Sequence, residues 1–201
     1  LKYRPHFDAL AQREVFSHFA EELPIVLYAP TWKDLEGNTS FPEACEYLVQ
    51  EKSPGWNLLI KLHPSLSNDC LAWMVHWMER CRELPHVHVV EDFTPVYPLL
   101  SRTELYIGDM SSVGYDFLAF EKPLILLNPK VEKIGLCSVS TVVRREEFSS
   151  LNRIIEAGLA NGANRYKLRD LYSFVFCEHQ RSLEDIREEV FLKLSTPCLK
   201  H

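Results

Sequence analysis

No uninterrupted apolar run in the 201 residues approaches the roughly 20 that a membrane-spanning helix needs, so no segment is expected to cross a bilayer. A basic surplus is missing as well: 22 Lys and Arg stand against 28 Asp and Glu, a formal charge of -6. Binding along a nucleic-acid backbone rests on clustered cations that release counterions. The balance therefore argues against nucleic acid as a partner, and any phosphate must be held locally. The six cysteines, Cys45, Cys70, Cys81, Cys137, Cys177 and Cys198, include no CxxC pair and no Cys/His spacing of a zinc site. Reduced thiols are the expectation, which favours the cytoplasm. His86 and His88 lie two apart on a predicted strand and face one side, but no third ligand accompanies them, so no metal site is expected. There is no internal repeat and no low-complexity tract. The opening Leu1-Lys2-Tyr3-Arg4-Pro5 has neither a Met nor the basic-then-apolar pattern of a signal peptide, and reads as part of something longer.

What is present is ordinary for a soluble globular protein, with 46% hydrophobic and 25% charged residues. The length fits one domain, or a compact core with a helical appendage. Leu10, Val15, Phe16 and Phe19 suit an amphipathic lead-in helix within residues 1–24. Ile25 to Ala29 is then a short buried strand that stops at Pro30. A helix over 43–51, a strand over 57–62 and a long helix over 68–84 follow, the last with Leu71, Val75 and Met78 on its apolar stripe. Strands over 87–90, 105–108 and 124–127 alternate with helices over 96–100 and 111–120. Five apolar strands separated by helices predict a parallel α/β sheet covered on both faces and joined by right-handed crossovers. The Rossmann-like core spans 25–145. A helical segment spans 146–201, with helices expected over 146–159, 166–176 and 183–194, packed on the core or on another domain.

Ligands of such sheets bind beyond the carboxyl ends of the strands, and three stretches fall there. Gly108-Asp109-Met110-Ser111-Ser112-Val113-Gly114-Tyr115-Asp116 takes a strand into a helix through small residues, and free N–H groups at a helix start attract anions. Ser111 and Ser112 add hydroxyls. Asp116, four residues beyond Ser112, shares its helix face about one turn below, where a carboxylate suits the hydroxyls of a ribose. The same residues read equally well as an N-cap and a solvated first-turn acid. In Ile60-Lys61-Leu62-His63-Pro64, the proline holds His63 extended at a strand end, where it serves either a pyrophosphate or the fold itself. In Ala29-Pro30-Thr31-Trp32-Lys33-Asp34, Thr31 and Lys33 are within reach of phosphate oxygens. Trp73, Met74, Trp77 and Met78 read as helix packing, and Arg144 to Glu147 as a solvated charge cluster at a helix start.

Taken together, Val26-Leu27-Tyr28-Ala29-Pro30-Thr31-Trp32-Lys33-Asp34, Lys61-Leu62-His63-Pro64 and Asp109-Met110-Ser111-Ser112-Val113-Gly114-Tyr115-Asp116-Phe117 with Lys122-Pro123 resemble the CDP-glycerol glycerophosphotransferase family of teichoic-acid polymerases and primases, in order and spacing as well as in letters. The resemblance implies the nucleotide-binding C-terminal half of a GT-B enzyme, acting with an N-terminal acceptor domain that residues 1–24 do not match. It implies CDP-glycerol as donor, a polymer or lipid-linked acceptor, release of CMP, and no cofactor. It leaves open attachment at the inner face of the cell membrane. His63, Ser111 and Ser112 would hold the pyrophosphate and form the catalytic set. Thr31, Lys33, Asp109 and Asp116 would contact the donor, Asp116 at its ribose. Lys33 stands where the family usually has Arg, and Met110 where it has Tyr or Ser. The alternatives are another GT-B enzyme, such as a UDP-N-acetylglucosamine 2-epimerase-like or UDP-sugar transferase domain, and a non-catalytic nucleotide-binding module.

Overall fold

The computed structural model describes residues 4–31, 39–63, 72–90, 95–130 and 135–176, with residues 184, 187, 188 and 191 beyond them. The strands are β1 (Ile25–Ala29), β2 (Asn57–Lys61), β3 (Val87–Val90), β4 (Thr103–Gly108), β5 (Leu124–Leu127) and β6 (Thr141–Val143). They form one wholly parallel six-stranded sheet in the order β3-β2-β1-β4-β5-β6. The helices are α1 (Arg4–Glu14), α2 (Glu43–Leu48), α3 (Ala72–Arg82), α4 (Tyr97–Arg102), α5 (Ser112–Phe117), α6 (Leu151–Asn161) and α7 (Arg165–Phe176). The expected doubly covered parallel α/β sheet is what the chain forms.

The near-continuous apolar strands follow from burial on both sides. Every residue of β1 and β5 is buried. Alternate residues feed two separate cores. Val26, Tyr28, Leu58, Ile60, Leu105 and Ile107 pack toward α2, α3 and α6. Leu27, Leu59, Tyr106, Leu124 and Leu126 pack toward α1, α4 and α5, with Leu168 of α7 in the same layer. The lead-in helix is therefore part of this second layer, through Ala11 and the Val15 and Phe16 that follow it.

Three elements differ from the sequence reading. A sixth strand, β6, closes one edge; it has only three residues, of which Val143 alone is buried, too short for an apolar run to announce it. On α3 the buried face is Met74 and Cys81, with Trp77 and Met78 packed against the core, whereas Val75 is 50% exposed. Positions 74, 77, 78 and 81 are one helical stripe, and the Trp77 ring locks it in place by meeting Phe41 edge-on at 5.7 Å; Leu71 is outside the described residues. The helix expected from residue 146 begins as a 3-10 turn, Arg145–Ser150, and becomes α-helical at Leu151. It stops at Gly162, whose positive φ of 68° ends the α6 ladder. The helix expected over 183–194 falls largely outside the described residues. Among those described, no helix is long and apolar enough to cross a membrane.

Candidate functional site

The strand order reverses direction between β1 and β4, because β1 leads to β2 and β3 on one side and the chain returns to β4 on the other. Loops leaving two such strands diverge over opposite faces and open a crevice at their carboxyl ends. The register aligns Tyr28 with Ile107 and Ala29 with Gly108, so Thr31 and Asp109 leave the sheet side by side. Gly108 is required by this close approach: a Cβ there would lie 2.7 Å from the Ala29 carbonyl oxygen and would collide with the Tyr106 hydroxyl.

Asp109 is 2% exposed. Its Oδ2 accepts the backbone N–H of Thr31 at 2.8 Å, and the Ser40 N–H reaches both carboxylate oxygens at 3.1 and 3.2 Å. The Ser40 hydroxyl is in turn 2.8 Å from the Tyr28 hydroxyl. Thr39 completes the knot, its Oγ1 donating to the Thr31 carbonyl at 2.8 Å and accepting the Phe41 N–H at 3.2 Å. Burial pushes the Asp109 carboxyl up to about 6, against the opposing hydrogen bonds from Ser40 and Thr31 and the charge of Arg145. Burial likewise raises the Tyr28 and Tyr106 phenols, so both stand neutral as hydrogen-bonding groups. Asp109 was expected at the donor; in the structure its carboxylate accepts these backbone N–H groups.

Ser111 is the residue before α5, with extended backbone (φ -151°, ψ 165°), and its side chain does not cap the helix. Its hydroxyl lies 3.4 Å from the Tyr106 hydroxyl, which is also 3.4 Å from the Ala29 carbonyl. The N-cap alternative therefore does not account for Ser111. Ser112 is exposed at the start of α5, and Asp116 is half-buried on the same helix. Burial raises the Asp116 carboxyl above its ordinary range. His63 follows β2, the neighbour of β1, and is partly buried at the same edge of the sheet. The structure thus brings Thr31, His63, Asp109, Ser111 and Ser112 to one edge, with Asp116 a turn along α5. Lys33 lies outside the described residues.

Sequence reasoning missed the inner ring of the site: Tyr28, Thr39, Ser40 and Tyr106. The two tyrosines sit in strand positions that read only as apolar filling. Arg145 was missed too, and its signal was the Thr141-Val142-Val143 run of β-branched residues. Once that run is a strand, Arg145 falls just beyond the carboxyl edge, where it reaches Glu43 at 3.3 Å. His86 and His88 do not pair: His86 Nε2 lies 3.0 Å from the Gln50 carbonyl, and His88 stacks on His18 at 4.0 Å. Among the described residues no group of three His, Cys, Asp or Glu side chains is placed to hold a metal. A groove of about 470 Å³ lined by Ser138, Val139, Lys167, Asp170, Leu171 and Phe174 lies against α7, apart from this crevice.

A parallel sheet in this order, with hydroxyls and acids gathered at its point of reversal, defines a Rossmann-like ligand-binding domain of the type that makes up half of a GT-B enzyme. The chain belongs to the CDP-glycerol:poly(glycerophosphate) glycerophosphotransferase family, whose model matches residues 11–134. It is 30% identical over 116 residues to the teichoic acid glycerol-phosphate primase of Bacillus spizizenii strain W23, covering 55% of this chain and 27% of that protein. With the primase of Bacillus subtilis strain 168 it shares 26% identity over 102 residues, covering 50% and 24%. A variant of the wall teichoic acid polymerase TagF has the same fold, with a TM-score of 0.59 at 16% identity over 96% of this chain and 49% of that one. A TagF crystal soaked with CDPG gives a TM-score of 0.56 at 16% identity over 96% and 48%. The UDP-GlcNAc 2-epimerase of Neisseria meningitidis bound to UDP-GlcNAc gives 0.53 at 16% identity over 87% and 48%. The matches span about a quarter of the primases and half of the TagF chain.

Proposed function

We propose that this chain is the donor-binding half of a glycerophosphotransferase that moves glycerol phosphate from CDP-glycerol to a teichoic-acid-like or other cell-envelope acceptor, releasing CMP. The observation that carries the reading is the meeting of three separate sequence stretches at the β1–β4 reversal in a chain of this family. Thr31, His63, Ser111 and Ser112 surround the donor diphosphate, and Asp116 faces the ribose. Lys33 and Arg145 supply positive charge near the phosphates. The TagF structure soaked with CDPG supports the choice of donor, since it shares this fold.

In the reaction, an acceptor hydroxyl attacks the glycerol-bearing phosphorus, its proton leaves to a base outside this chain, and the bond to the CMP oxygen breaks as the new phosphodiester forms. Such a transfer is accelerated mainly by holding the groups in line and by donors that stabilise charge on the phosphate oxygens. No metal or organic cofactor enters the proposal.

Calorimetric titration with CDP-glycerol, CMP and UDP-N-acetylglucosamine tests it. Micromolar to millimolar binding of the cytidine ligands is expected, weakened about tenfold or more by Asp116→Ala and by His63→Ala, since each removes one charged or charge-assisted hydrogen bond. Tighter binding of the UDP-sugar, or no effect of either substitution, would overturn the assignment.

A further inference from the structure

We propose that Asp109 is a positioning residue of the donor site: by accepting the Thr31 and Ser40 backbone N–H groups it holds Thr31 beside the β4–α5 turn, where Ser111 and Ser112 stand. The inference rests on the donor-site reading above and gives it a buried support. Asp109 joins positions 31 and 40 directly, beside the Thr39 hydroxyl, which ties the Thr31 carbonyl to the Phe41 N–H. A carboxylate is the side chain for this task, because both oxygens accept and neither presents a hydrogen to the two converging N–H groups. An asparagine would aim an amide N–H₂ at one of them.

The carboxylate is held at a disadvantage, which marks a role beyond packing. Burial works against its charge, while the Ser40 side chain and the Thr31 and Ser40 backbone N–H groups work for it. Among the described residues, Tyr28 on β1, Tyr106 on β4, Cys45 on α2 and Arg145 beyond β6 are the titratable and charged groups that interact with it, and of these Arg145 alone favours the anion. Structural ion pairs bring a full opposite charge to a buried carboxylate, whereas here hydrogen bonds from Ser40 and Thr31 offset the burial ahead of the charge of Arg145. A buried acid set against the loops of a crevice is characteristic of a functional site.

Asp109→Asn separates positioning from simple electrostatics, because the two predict opposite signs. If the charge only repelled the donor diphosphate, removing it would tighten binding. If Asp109 positions Thr31, removing an acceptor weakens binding. Calorimetry with CDP-glycerol at pH 7.5 is expected to show affinity at least tenfold lower than wild type. Hydrogen exchange should show faster exchange of the Thr31 and Ser40 amides and unchanged exchange in β4, which a general loss of structure would not produce. Equal or tighter binding by the variant would overturn the proposal. Failure of the wild type to bind would instead overturn the donor-site reading, with the exchange measurement still deciding what Asp109 holds. Should the variant not fold, wild-type exchange decides: Thr31 and Ser40 amides protected at neutral pH support the proposal, and unprotected amides sink it.

Discussion

Hydrogen bonds from backbone N–H groups ordinarily lower the pKa of a carboxylate, but for Asp109 burial outweighs them and leaves it at about 6. The consequence for stability runs opposite to the usual Asp. The native state holds the proton more tightly than the unfolded chain, so this group's favourable contribution is complete below its ordinary pKa and is lost as pH rises through about 6. A shift of this size corresponds to roughly 3 kcal/mol between the two extremes. Urea unfolding of wild type and Asp109→Asn across pH 4.5 to about 7.5 checks it. The stability of wild type relative to the variant is expected to grow as pH falls, because the other carboxylates act alike in both and cancel. A flat difference would place the Asp109 pKa near its ordinary value. Asp109 was legible in the sequence as a polar residue just after a strand. Its direction was not, since whether such a side chain turns outward or back into the fold depends on Thr31 and Ser40, one 78 and the other 69 positions away.

At the scale of elements, the central strands were legible and the edges were not. Residues buried on both faces must all be apolar, which is why Ile25 to Ala29 and Leu124 to Leu127 read as strands from their letters. Among the described residues β6 pairs with β5 alone and buries one residue of three, so its composition carried little signal. The face of α3 was misread because Trp73, Met74, Val75, Trp77 and Met78 crowd its first two turns with apolar residues, so that more than one stripe at helical spacing can be drawn through them. Truncation tests the observed face. Met74→Ala should lower stability by about 2 to 5 kcal/mol, whereas Val75→Ala should change it by less than about 0.5 kcal/mol. Comparable losses at both positions, measured by denaturant unfolding, would mean that the helix is rotated.

At the scale of the whole molecule, the 201 residues span about half of the TagF chain. In the proposed reaction the crevice is the donor side of a cleft, and the other wall and the base that takes the acceptor proton come from outside these 201 residues. The expected outcome is separation of binding from turnover: the chain by itself takes up CDP-glycerol, and chromatography of the incubated mixture finds no CMP above the rate of spontaneous hydrolysis. Appreciable CMP release would mean that His63 or a neighbour serves as the base and that this half is catalytically self-sufficient.

The sequence by itself determined the alternation of strands and helices, the parallel sheet, the edge at which the three motif stretches leave it and the family, because these depend on local apolar patterning and on short stretches in a given order. Tertiary structure alone decided which of the polar residues at that edge face outward. Asp109 turned inward to hold Thr31 and Ser40; Ser111 was released from capping; Arg145 was carried to the crevice by a strand too short to read. The physical reason is the same in each case: a hydrogen bond or close contact between residues tens of positions apart is set by sheet order and register, and these appear only when the whole chain has packed.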